Sequence, residues 1–219
     1  MVSTSLAFWG QQNSPTNPAD SGSRLPYTGS MKPPYGPLFV CLALCALFGC
    51  GQNAPSGTPA RPSSSLTNLA AAKSPQDRFY ALRRAAKESF KAGNIEEARK
   101  LATELLTVAP TFRGDWNYGN AVHDGNLVLG RIALSEGHTN EAKQFLLNAG
   151  ASPGSPQMKT FGPNMSLAQD LLLKGEKDTV LQYFELCRSF WKMGQKNLDA
   201  WTQDVKAGRM PAFGANLLY

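Results

Sequence analysis

Leu127-Val128-Leu129-Gly130-Arg131-Ile132-Ala133-Leu134-Ser135-Glu136-Gly137-His138-Thr139-Asn140-Glu141-Ala142-Lys143-Gln144-Phe145-Leu146-Leu147-Asn148-Ala149-Gly150 holds two apolar stripes separated by one glycine turn. Leu127, Leu129, Gly130, Ala133 and Leu134 recur at the helical period and run up to Gly137-His138, where glycine breaks the pattern. Thr139 stands where an N-cap belongs, and Ala142, Phe145, Leu146 and Ala149 form a second stripe that closes at Gly150. The spacing predicts two helices folded back on each other. Gly130 and Ala142 are small because the two backbones cross closely there.

The same unit recurs on either side. Upstream, Ser74-Pro75 supplies an N-cap followed by proline at the first helical position, and Phe79, Leu82, Ala86 and Phe90 share one face before Gly93-Asn94. Glu96 and Glu97 open the next helix, where acids suit the dipole, and its stripe of Ala98, Leu101, Ala102, Leu105 and Leu106 ends at Ala109-Pro110. Downstream, Leu167, Ala168, Leu171 and Leu172 precede Gly175, and Val180, Leu181, Phe184, Cys187 and Phe190-Trp191 follow it. A last amphipathic helix carries Leu198, Trp201 and Val205 and stops at Gly208. Ala86, Gly130 and Ala168 each lie seven residues before a turn glycine, and Ala98, Ala142 and Val180 each lie five after it.

Leu129-Gly130, Gly137, Ala142 and Ala149, and again Ala86, Gly93, Ala98 and Pro110, resemble the tetratricopeptide repeat. The resemblance implies an all-α fold over residues 74–208: a helix-pair solenoid of about three pairs plus a C-terminal helix, about seven helices in all, with no strand. It also implies a concave groove, lined by the first helix of each pair, that holds extended peptides. The turn glycines are 44 and 38 residues apart, where the family's period is about 34. Extra residues sit between the units at Thr111–Tyr118 and Ala151–Pro163, and Val180 and Cys187 replace the usual alanines of the third copy.

The amino end carries a different signal. Met31-Lys32 leads into an apolar run from Leu38 to Phe48 and a small-residue exit, the order of a secretory signal. The run is shorter than the roughly 20 apolar residues of a membrane span. Ordinary cleavage asks for small residues at A-x-A spacing, whereas Gln52-Asn53-Ala54 runs straight into Pro55. Leu47-Phe48-Gly49-Cys50 instead resembles the lipobox of bacterial lipoproteins, with Phe48 where a small residue is usual. That resemblance implies a signal peptide over 31–49, a diacylglycerol-bearing Cys50 as the new amino terminus, and a domain facing the periplasm or the cell exterior. With Gly51 and no Asp after the Cys, it implies outer-membrane sorting if the cell has two membranes. Residues 1–30 show no apolar period and are expected to be a wrongly extended gene start or a disordered leader. The Pro/Ser/Gly-rich residues 50–73 are expected to be a flexible lipid-anchored linker, and 209–219 a C-terminal tail. Cys41 and Cys45 leave with the signal, so Cys187 remains alone and no intrachain disulfide is expected.

Composition narrows the chemistry. With 42% hydrophobic and 17% charged residues, the 219-residue chain is neither a collagen nor a polytopic membrane protein. The net charge of +6 has no obvious focus: Arg83-Arg84, Arg99-Lys100 and Lys192/Lys196 alternate with Glu88, Glu96, Glu97 and Glu104. That pattern is a mixed-sign helix surface, and no nucleic-acid partner is expected. His123 and His138 are the only imidazoles, so no metal site and no cofactor are expected. His123-Asp124 are helix neighbours whose side chains are expected to diverge. Cys187, on an apolar stripe, reads as a buried hydrophobe in preference to a nucleophile assisted by His123.

Two stretches stand out. Asp115–Asn126 packs Trp116, Tyr118, Asn120, His123 and Asn126 ahead of a routine helix, although Asn and Gly are poor helix formers. With Arg131, these residues are the candidates for contacting a partner; the competing reading is a capped loop whose aromatics plug the repeat interface. Gly154–Met165 is a long inter-repeat loop, in which Phe161-Gly162-Pro163 forms a turn delivering Asn164 as an N-cap. Phe161 and Asn164 join the candidates as one rim of the groove; a plain spacer is the competing reading. The expected function is therefore a non-catalytic scaffold, anchored at the envelope through Cys50, that binds a protein or peptide partner. The alternatives are an enzyme acting on cell-wall or sugar polymers through Asp115, Asp124 or His123, and a structural subunit of an outer-membrane assembly complex.

Overall fold

The computed structural model describes residues 64–218, so Cys50, the signal at 31–49 and the leader at 1–30 lie outside the described residues. The described chain is all-helical, with no strand among the described residues. Its α-helices are α1 (Ser64–Ala70), α2 (Pro75–Lys91), α3 (Ile95–Val108), α4 (Tyr118–Ser135), α5 (Thr139–Gly150), α6 (Pro156–Phe161), α7 (Ser166–Leu173), α8 (Lys177–Cys187) and α9 (Gln195–Lys206). Short 3-10 turns cover Ala109–Phe112, Lys192–Gly194 and Gly214–Leu217.

The three glycine turns have one geometry. Gly93, Gly137 and Gly175 all take a positive φ. Each donates its N–H to the carbonyl three residues back, and the next residue donates to the carbonyl five back: Asn94 to Ser89, His138 to Ala133, Glu176 to Leu171. This Schellman arrangement satisfies the last carbonyls of the first helix and sends the chain back along it. Thus α2 packs on α3, α4 on α5, and α7 on α8. Between pairs, α4 also touches α2, α3 and α7, and α5 touches α7 and α8.

Close approach explains the small residues. A Cβ on Gly130 would lie 2.3 Å from Leu167 Cδ2 and 3.0 Å from Phe145 Cβ. Ala86, Ala98, Ala142, Ala168 and Val180 are all buried. The α4 helix divides two cores: Ile132 belongs to the one built on α2 and α3, Ala133 to the one built on α5, α7, α8 and α9. Phe145 packs against both.

The structure departs from the sequence expectations at several points, the first being the start of α5, where His138 is the N-cap and Thr139 the first helical residue, with no side-chain cap. Residues 64–70, expected to be flexible linker, form α1, whose Leu69 is buried and which packs on α2. The 154–165 loop contains a helix, α6, because Ser155 Oγ accepts the Met158 N–H and Pro156 takes the first helical position, repeating the Ser74-Pro75 start. The α8 helix ends at Cys187, and Phe190 and Trp191 enter the core from the turn that follows. The 209–218 tail docks, with Phe213 buried against Trp201 and Phe184 at ring-centre distances of 5.0 and 6.1 Å.

Candidate binding cleft

The α4 helix begins under an Asx turn. Asp115 Oδ1 accepts the Asn117 N–H at 2.8 Å, while Oδ2 accepts the Tyr80 hydroxyl at 2.6 Å and the Gln76 amide at 3.1 Å. Partial burial works to raise the Asp115 carboxyl, but these donors outweigh it and hold its pKa below the ordinary value. The same contact with Asp115 raises the Tyr80 hydroxyl. Trp116 is left 54% exposed, its ring centre 5.9 Å from that of Tyr80.

One turn on, the first turns of α4 supply a polar floor. Asn120, His123 and Asp124 are all buried. Asp124 Oδ2 accepts from Arg83 and from Lys87, both at 3.0 Å and both on α2. Its Oδ1 lies 3.1 Å from His123 Nδ1, so the neighbouring side chains meet, contrary to the expected divergence. They meet because Arg83 and Lys87 on α2 hold the carboxylate while Tyr183 on α8 holds the far side of the ring. Burial pushes the Asp124 carboxyl upward, but the His123 hydrogen bond and the Lys87 and Arg83 charges prevail and hold it below the usual carboxylate range. On its other side, His123 Nε2 lies 3.0 Å from the Tyr183 hydroxyl, which donates to the Asn164 carbonyl at 3.1 Å. The chain Asp124–His123–Tyr183–Asn164 ties α4, α8 and the loop before α7 together.

Above this floor a cleft of about 450 Å³ opens between α2 and α6. One wall is the α2 face that carries Arg83, Arg84, Lys87 and Lys91, with Glu88 the one acid among them; the other is Met158 and Phe161, with Gln157 beside them. Arg83, Lys87 and Lys91 follow one another at four-residue steps and so share a face. Arg84 and Lys91 are exposed and make no ion pair among the described residues. Phe161 is 73% exposed on the rim. Two further depressions adjoin the cleft. One, at the start of α2, shares Arg83 and Arg84 with it and is lined by Tyr80 and Trp116. The other, at the end of α2, shares Lys87, Lys91 and Asp124 and is lined by Arg131 and Asn164.

The cleft therefore gathers Asn120, His123 and Phe161, with Trp116 at one end and Arg131 and Asn164 at the other. Arg131 donates to Asp170 at 2.8 Å and lies 4.9 Å over the Phe90 ring. Asn164 Oδ1 accepts the Ser166 N–H at 2.8 Å, a side-chain cap one residue ahead of the N-cap position. Tyr118 packs half-buried on the α2–α3 core, and Asn126 is buried with its amide donating to the Val122 carbonyl. Lys87 and Lys91 join the cleft without being among the candidates expected from sequence. Their spacing from Arg83 was the available signal.

Cys187 lies in the α8 core, where burial pushes its thiol upward against the opposing contact with Tyr183. Among the described residues no three His, Cys, Asp or Glu side chains converge as metal ligands, and no helix is long and apolar enough to cross a membrane. No protein-family model matches the chain, and neither does any curated protein or solved structure.

Proposed function

We propose that this protein is a non-catalytic scaffold of the tetratricopeptide type, held at the cell envelope through a lipid on Cys50, that takes an extended acidic segment of a partner protein along α2. The groove beside α2, basic on one wall and apolar on the other, carries the reading. The three like turns and the packing of α2, α4 and α7 as successive first helices support the solenoid arrangement. The adjoining depressions touch α2 from Asp77 to Lys91, about 21 Å of helix, which matches roughly six residues of extended chain. Arg84 and Lys91 lie two helical turns apart, about 10.5 Å, so same-face carboxylates two or four residues apart on such a chain, about 7 or 13 Å, bracket that separation. Phe161 and Met158 then face the apolar residues between them. The test is fluorescence anisotropy of a fluorescein-labelled octapeptide of alternating glutamate and leucine with lipid-free Cys50→Ser protein. Saturable binding that weakens with added salt is expected; binding equal to that of an alternating lysine–leucine peptide would contradict the reading.

A further inference from the structure

The apolar wall of the cleft is a six-residue helix, too short to hold its own shape in water. Each end is pinned by a buried asparagine. At the front, Asn120 Oδ1 accepts the Ser155 hydroxyl at 2.7 Å and Asn120 Nδ2 donates to Gln157 at 3.0 Å. At the back, Asn216 Nδ2 donates to the carbonyls of Phe161 at 3.0 Å and Pro163 at 2.9 Å, while the Asn216 carbonyl accepts the Met165 N–H at 2.8 Å. Asn120 belongs to α4, whose core packing fixes it. Asn216 belongs to the tail, more than fifty residues away in sequence, and is not itself among the residues that line the cleft.

The joint between tail and wall is closely built. Gly162 has φ +88°, and a Cβ there would fall 2.7 Å from Asn216 Nδ2 and 2.5 Å from the Trp191 ring. Glycine is needed at this point both for its backbone conformation and for the approach of the amide. The tail is held by Phe213 in the aromatic cluster and by Trp201 Nε1 donating to the Ala212 carbonyl at 3.2 Å. Glycines of positive φ stand at both ends of the wall segment, Gly154 at +75° and Gly162 at +88°.

We propose that Asn216 is a positioning residue for the cleft: through two donated hydrogen bonds it sets the Phe161–Pro163 backbone, and docking of the tail is thereby coupled to occupancy of the cleft. The coupling to occupancy rests on the peptide-binding reading above; the setting of the wall does not. Because only the apolar wall hangs on Asn216, its loss should weaken contacts with apolar residues of a bound chain and leave contacts with Arg84 and Lys91 in place.

The experiment compares wild type, Asn216→Ala and the exposed tail control Leu218→Ala. Tryptic cleavage after Lys159, exposed on α6, should rise about ten-fold in Asn216→Ala alone, in line with two lost hydrogen bonds. An unchanged rate would overturn the proposal whatever the peptide does. The glutamate–leucine octapeptide should bind Asn216→Ala at least about five-fold more weakly, and a glutamate–glycine octapeptide equally well. Equal loss for both peptides would make Asn216 a general stability residue and overturn the positioning role. If wild type binds neither peptide, the groove reading fails while the cleavage result still decides the wall. Should Asn216→Ala not fold, hydrogen exchange of the wild type replaces it. The amides of Met165 and Asn216 should then open together as one unit, and rates that differ more than about ten-fold would contradict the proposal.

Discussion

Asp124 shows how one buried carboxylate organises the cleft. It takes charge from Arg83 and Lys87 and a hydrogen bond from His123, leaving Arg84 and Lys91 as the cations that face outward. Its folded pKa is depressed, so its contribution to stability is complete above the unfolded value of about 3.9 and is lost as pH falls toward the folded value. Asp124→Asn is expected to cost about 2–4 kcal/mol at neutral pH, with a deficit that shrinks below about pH 4. Urea denaturation at two pH values measures this, and a pH-independent deficit would contradict it. The candidate residues Asn120 and His123 were legible in the sequence because amides and imidazole sit where a plain helix would carry alanine or leucine. The α2 cations were not. Weighing neighbouring charges by sign hides a stripe that only the four-residue spacing of Arg83, Lys87 and Lys91 reveals. The His123–Asp124 contact was hidden for a related reason: helical geometry separates adjacent side chains, and only partners on α2 and α8 bring them together.

Helices and turns were the most readable level. Gly93, Gly137 and Gly175 mark the same left-handed stop three times, and the apolar stripes on either side fix which faces pack. Two kinds of glycine can be separated by mutation. Gly137→Ala meets open space and pays only for its positive φ, about 1–2 kcal/mol, whereas Gly130→Leu must push aside Leu167 and Phe145 and is expected to cost about 1–3 kcal/mol through overpacking. Thermal unfolding measures both, and the Gly130 cost should fall when Leu167 is shortened to alanine, while the Gly137 cost should not. Helix α6 carried a start signal in Ser155-Pro156 but lacked an apolar stripe long enough to be noticed. Helix α1 lay in a Pro/Ser-rich stretch, and its order comes from docking Leu69 on α2, a tertiary effect that no local pattern announces.

At the scale of the whole molecule, an envelope anchor and a basic groove make separable claims. Cys50→Ser should abolish incorporation of radiolabelled fatty acid without altering the melting temperature of the helical domain; equal labelling of both proteins would remove the anchor from the account. Charge reversal on the two outward cations tests the groove. Lipid-free protein carrying Arg84→Glu and Lys91→Glu is compared with one carrying Lys100→Glu and Lys196→Glu, exposed lysines that line none of the three depressions. Both variants make the same change in net charge, so only position distinguishes them. The anisotropy titration with the glutamate–leucine octapeptide should show at least about a ten-fold loss of affinity for the first variant and less than about two-fold for the second. Equal losses would mean that the peptide senses net charge alone, and would contradict a binding groove along α2.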